Sequence, residues 1–134
     1  MTEVRQQLIR GFFDAIAAGN LPDEIVTPDM SFWSVTSGTS DRARFHGGVK
    51  MLAAIFKGTL AYVVDSLTCE DDRVAAEVRS HGTLPDGEPF DNNHVFLFRI
   101  RDGRIAQVAE YMNQFVVSEK IVPLMQAAMA RPSA

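Results

Sequence analysis

The 134-residue chain has a single cysteine, Cys69, and a single tryptophan, Trp33. One cysteine excludes an internal disulfide framework and a cysteine-built zinc cluster, and it fits a reducing compartment. Positive charge is also short: 13 Lys and Arg face 17 Asp and Glu, a formal net charge of −4. The sequence therefore carries no electrostatic footprint for nucleic acid or for an anionic membrane surface, and neither partner is expected. Long apolar runs are missing. The opening MTEVRQQLIRGFFDAIAAGN interrupts Leu and Ile with Arg10 and Asp14, so it reads as neither signal peptide nor membrane span, and a cytoplasmic protein is expected. Repeats and linkers are lacking as well. What is there, 46% hydrophobic and 22% charged residues, suits one domain over residues 1–134 with a core of its own.

Residues 3–18 predict an amphipathic helix, with Val4, Leu8, Phe12 and Ile16 on one face beside Ile9 and Phe13. Thr2 is the expected N-cap and Gly19-Asn20 the stop. Pro22 opens a short second helix through Val26. Met30–Val35 reads as a strand, followed by a Ser/Thr/Gly-rich loop in which His46 is expected to face solvent. Val49–Lys57 predicts a third helix closed by Gly58. Tyr62–Thr68 predicts a strand, and the run from Phe115 to Ala130 a helix entered or broken near Pro123, with residues 131–134 frayed.

Between Arg73 and Asn113 lie three strands joined at Asp86-Gly87 and Asp102-Gly103. Asp-Gly supplies the positive φ angles of tight hairpins. A two-residue loop at Asp86-Gly87 pairs His81 with Asn92, Arg79 with His94 and Glu77 with Phe96. Glu77, Arg79 and His81 then share a face, and Val74, Ala76, Val78 and Ser80 take the other. Phe96, Phe98 and Ile100 continue the Asn92/His94 face, so the polar cluster adjoins an apolar interior. Placing Glu110 on that face, with Val108 and Met112, requires one extra residue in the last hairpin, such as a glycine bulge at Gly103.

The residue types in this cluster suit proton transfer. His titrates near neutrality, and desolvation raises a carboxylate's pKa unless a cation offsets it. The expected set is Glu110 and His81 as base and acid, Arg79 as electrostatic partner, and His94 and Asn92 as orienters. Trp33, Glu77, Phe56, Tyr62, Phe96, Phe98, Val108 and Met112 are expected to contact substrate. His81, His94 and Glu110 are also zinc-ligating types, but no metal and no cofactor is expected.

The phrases FFDAIAAGN, HGGVKMLAAIF and LPDGEPFDNNHVFLFRIRDGRIAQVAEYMN resemble the SnoaL-like and ketosteroid-isomerase-like branch of the nuclear transport factor 2-like superfamily over essentially the whole chain. The resemblance implies an α+β fold: a cone-shaped curved antiparallel sheet, a cystatin-like roll, with N-terminal helices on its concave face and a deep apolar pocket within. Homodimers are frequent in that superfamily. Here the apolar outer row Val74, Ala76, Val78, Val95, Leu97 and Ala109 asks for such cover. His81 and His94 are similar in layout to the paired histidines of scytalone-dehydratase-like members. Glu77, Arg79 and Glu110 resemble the polar set of limonene-epoxide hydrolase with the charge order reversed. The functional expectation is a cofactor-independent lyase, dehydratase or isomerase acting on a hydrophobic, cyclic or aromatic small molecule. A non-catalytic binder or structural homodimer is the alternative, and epoxide hydrolysis a further one.

Overall fold

The computed structural model describes residues 2–130, with side chains from residue 3 onward. The Thr2 side chain expected as a cap lies outside the described side chains, and the frayed end expected for 131–134 lies outside the described residues. In chain order the elements are α1 (Thr2–Ala17), β1 (Val26–Ser34), β2 (Gly38–Asp41), α2 (Arg42–Phe56), β3 (Ala61–Glu70), β4 (Arg73–Thr83), β5 (Pro89–Arg101) and β6 (Arg104–Met112). The chain closes with α3 (Gln114–Val116), a π-helical turn over Val117–Ile121, and α4 (Val122–Ala130). Pro123 has no N–H to give to the preceding turn, and the ladder widens just before it.

The strands form one curved sheet in the order β2-β1-β6-β5-β4-β3. β1 runs parallel to β6, so the sheet is mixed where a wholly antiparallel one was expected. Two single-residue bulges bend it. Asp65 is the extra residue in β3, between the Val64↔Val78 and Ser66↔Glu77 pairs. Ala106 is the extra residue in β6, between Ile100↔Ile105 and Arg99↔Gln107, which is why Ile105 and Ala106 are buried in succession.

α1 lies on the concave face. Its Phe12 and Phe13 pack edge-on against Phe96 and Phe98, with ring centroids 4.9–6.5 Å apart, and Ile9 and Ile16 complete the contact with Val74, Ala76, Val78 and Val108. Each such side chain, taken fully from water, contributes roughly 1.5–3 kcal/mol before its ordering entropy is subtracted. A second apolar cluster closes the other end of the cone, where Phe56, Leu60, Leu84, Phe90 and Ile121 meet. There the Phe56 ring lies so close to Gly82 that a Cβ would sit 2.5 Å from it.

The short helix expected after Pro22 is a turn leading into β1. The Ser/Thr/Gly-rich loop contains β2 and the start of α2. Asp41 caps α2 by accepting the Arg44 N–H at 2.8 Å. Phe45, stacked on Phe32 at 4.0 Å, anchors a first turn that Gly47 and Gly48 weaken. His46 lies on that helix, half-buried, with its Nε2 enclosed and unpaired.

Candidate active site

Which way each polar residue of β4 faces relative to β5 follows from one turn. Gly87 donates to the Leu84 carbonyl and Leu84 to the Glu88 carbonyl, both at 2.9 Å, so the loop has three residues, Pro85, Asp86 and Gly87. Pro85 is pre-set for the second position of a type I turn, and Gly87, at φ 90°, takes the left-handed position after it. The two-residue loop expected at Asp86-Gly87 ignored that preference. The register moves by one: His81 pairs with Asp91, Ser80 with Asn92, Val78 with His94 and Ala76 with Phe96. A one-residue slip turns a whole strand over. Val74, Ala76, Val78 and Ser80 therefore face the interior, and Glu77, Arg79 and His81 face out.

The outward residues are engaged with one another. Arg79 makes a bidentate pair with Asp65 at 2.8 and 2.9 Å. Its hydrogen bonds hold the Asp65 carboxyl below its ordinary value, and in return Asp65 raises Arg79. Glu77 accepts from Ser66 Oγ at 3.1 Å, and His81 Nδ1 bonds Asp91. Trp33 is also outside, 5.1 Å from the Tyr111 ring. It is not a pocket wall on the Phe96 side. Since His81 is on the opposite face from His94 and Glu110, that trio cannot share a metal ion. Arg79, paired with Asp65 on the outer face, cannot serve as the electrostatic partner expected for Glu110.

The other half of the expected site converges. On the concave face the cross-strand rows are Tyr62–Ser80–Asn92, then Val64–Val78–His94–Met112, then Leu67–Ala76–Phe96–Glu110–Ser34. Glu110 reaches this face because β6 carries an extra residue, as expected, though the bulge is at Ala106. Asp102-Gly103 makes a plain two-residue turn between Arg101 and Arg104, with φ 53° and 76°. His94 sits diagonally between two partners: Nδ1 is 2.7 Å from Glu110 Oε2, and Nε2 is 2.8 Å from Ser80 Oγ. The His94 and Glu110 side chains are 8% and 16% exposed. Tyr62 lies 6.0 Å from the His94 ring. Burial, then the nearby Glu110 charge, pushes its hydroxyl pKa far up, so Tyr62 stays a proton donor at any working pH. Asn92 is buried; its Oδ1 accepts the Asn93 N–H at 2.8 Å and its Nδ2 donates to the Asn113 carbonyl at 3.4 Å.

Phe96, Phe98 and Val108 are packed core beneath this cluster, Met112 flanks it half-buried, and Phe56 belongs to the cap cluster. Ser80 is the residue the sequence reading missed, because it was assigned to the opposite face. The signal that places it inside is Pro85. On the convex side, a groove of about 370 Å³ runs past Asp65, Glu77, Arg79, Asn93 and Tyr111, and one of about 650 Å³ past Trp33, Arg73, Leu97, Arg99 and Gln107.

A six-stranded curved sheet with an N-terminal helix on its concave face gives the fold, and sequence comparison gives the family. Residues 9–108 match the SnoaL-like domain model, and the chain belongs to that family. No curated protein matches it in sequence. Among solved structures, IdmH of Streptomyces antibioticus, a candidate polyketide cyclase, is 23% identical with a TM-score of 0.74 over 87% of this chain and 96% of its own. A candidate isomerase from Bacillus subtilis is 19% identical, with a TM-score of 0.72 over 89% and 93%. A nuclear transport factor 2-like protein from Anabaena variabilis is 22% identical, with a TM-score of 0.71 over 84% and 88%. At these identities the likeness is one of fold.

Proposed function

We propose that the protein is an acid–base enzyme acting on a hydrophobic, cyclic or aromatic carbonyl compound, with Glu110 as the base. The observation that carries this is the burial of the His94–Glu110 pair beside Tyr62 on the concave face. Removal of a proton next to a carbonyl is the step that an isomerase and an aldol-type cyclase share, and the names of the Bacillus and Streptomyces neighbours fit it. Glu110 takes the carbon-bound proton. Tyr62 O–H donates to the developing enolate oxygen, and His94 holds the carboxylate in place. The enolate carbon then attacks a second carbonyl, or is reprotonated elsewhere in the molecule. Elimination of water from a β-hydroxy carbonyl starts the same way. None of these steps calls for a cofactor.

The test is exchange of the acidic C–H of cyclic and aromatic β-dicarbonyl compounds in deuterated water. Glu110→Gln is expected to lower the enzyme-dependent rate about 100- to 10,000-fold. An unchanged rate would end the reading. The outward position of Glu77, Arg79 and His81 removes half of the expected cluster and favours a non-catalytic binder as the second reading. On that reading no tested compound exchanges, while Glu110→Gln alters affinity alone.

A homodimer through the convex face is part of the proposal, on corrected grounds. Val74, Ala76 and Val78 are core; on the outward face of β3, β5 and β6 the exposed apolar side chains include Val63, Val95, Leu97 and Tyr111, each 37–46% exposed. A second copy would cover them. A monomer in sedimentation at micromolar concentration would exclude it. A cytoplasmic location is proposed on the single cysteine.

A further inference from the structure

Ser80 Oγ, His94 Nε2, His94 Nδ1 and Glu110 Oε2 form a continuous chain with links of 2.8 and 2.7 Å. By residue type and order this is the arrangement of a serine nucleophile, its base and the carboxylate that orients the base. Burial runs the wrong way for that use. Ser80 is 2% exposed, while the side chains of His94 and Glu110 are 8% and 16% exposed. A nucleophile has to meet its substrate, and Ser80 is the most enclosed of the three residues.

We propose that the chain works in the reverse sense. Ser80 is a positioning residue that anchors His94, and Glu110 is the end that meets substrate. This rests on the reading of Glu110 as base. A neutral imidazole carries one N–H and one lone pair. With the Ser80 O–H donating into Nε2, the ring proton sits on Nδ1 and is donated to Glu110 Oε2. Both ring nitrogens are then occupied, so His94 exchanges no proton with substrate. Glu110 keeps Oε1 for that purpose. When Oε1 takes the substrate proton, the carboxylate becomes a neutral acid, and the Nδ1–H bond to Oε2 persists in weaker, neutral form. No proton has to pass through Ser80.

The placement explains why a hydroxyl is needed at this position. Val78, directly across from His94 on β4, offers the ring no polar atom. Ser80, one step along the same face, is the β4 group that reaches Nε2. The opposite tautomer would put the proton on Nε2, donate it to Ser80 Oγ, and require a protonated Glu110 to donate to Nδ1. Glu110 would then be an acid in the resting enzyme.

The experiment is long-range proton–nitrogen NMR of histidine-labelled protein at pH 7, with His94 assigned against His94→Gln. The expected result is a neutral His94 with Nδ1 protonated and Nε2 bare. A protonated Nε2 overturns the proposal, whatever the outcome of the exchange assay. In Ser80→Ala the ionised Glu110 still keeps the ring proton on Nδ1, but Nε2 loses its donor. Its nitrogen shift is therefore expected to move toward that of an unbonded ring nitrogen and kcat to fall about 10- to 100-fold, the scale found when the outer partner of a metal-bound histidine is removed, with KM little changed. An unmoved Nε2 shift in folded Ser80→Ala also overturns it. Wild-type protein treated with a fluorophosphonate is expected to remain unlabelled at Ser80. A Ser80 adduct would show the serine to be the nucleophile.

Discussion

Two histidine–carboxylate pairs sit on neighbouring strands of one sheet, on opposite faces. His94–Glu110 spans 2.7 Å with side chains 8% and 16% exposed, and His81–Asp91 spans 2.5 Å with side chains 41% and 69% exposed. Their lengths are nearly the same. Their surroundings are not, and surroundings decide what such a pair does. Outside, water screens the attraction and hydrates either partner that loses the other. Inside, the same contact is made among Tyr62, Phe96 and Met112, where an unpaired charge has little to turn to.

The comparison breaks most sharply in activity. Glu110→Gln is expected to remove the catalytic contribution of the base, about 100- to 10,000-fold, whereas Asp91→Asn should change the exchange rate by less than about twofold, because it acts through solvent. Equal effects of the two changes would show that burial does not set the roles.

Stability gives the next contrast. His94→Ala strips Glu110 of its partner in a mostly enclosed site, and is expected to cost about 3 kcal/mol in denaturant unfolding, toward the low end for a broken buried pair. His81→Ala should stay within about 0.5 kcal/mol. If the two variants unfold together, the inner pair is wetter than its geometry indicates.

The smallest effect is pH-dependent and belongs to the outer face. Hydrogen bonds from Arg79 lower the Asp65 pKa from its ordinary 3.8, with the Arg79 and His81 charges adding. A folded-state value below the unfolded one means the pair stabilises the fold above that ordinary value, and the contribution is lost as pH falls through the lowered one. The difference in melting temperature between wild type and Arg79→Gln should therefore be steady near neutrality and shrink below about pH 4. A difference that persists to pH 2 would show that Arg79 acts by packing alone.

Much of the architecture was legible. The repeat of Phe12 and Ile16 with Ile9 and Phe13 marked the buried face of α1. Alternation along β5 put Asn92, His94, Phe96 and Phe98 on one side, and the apolar spacing of Val108 and Met112 called for an added residue in β6. Less was legible where short-range signals competed. Gly47 and Gly48 hid the first turns of α2, although Asp41 was available as its cap. Asp86-Gly87 read as a two-residue hairpin, although Pro85 pointed to a longer one. From that single turn came the largest error, with Glu77, Arg79 and His81 assigned inward and Ser80 outward.

By itself the sequence determined the family, the order of the main elements and the inward face of β5, because these depend on periodicities of 3.6 and 2 that local composition carries. The tertiary structure alone decided which face of β4 turns inward and which histidine meets Glu110. Strand register is a property of two strands together: one residue more or less in the joining turn exchanges the faces, while the pattern along each strand stays the same.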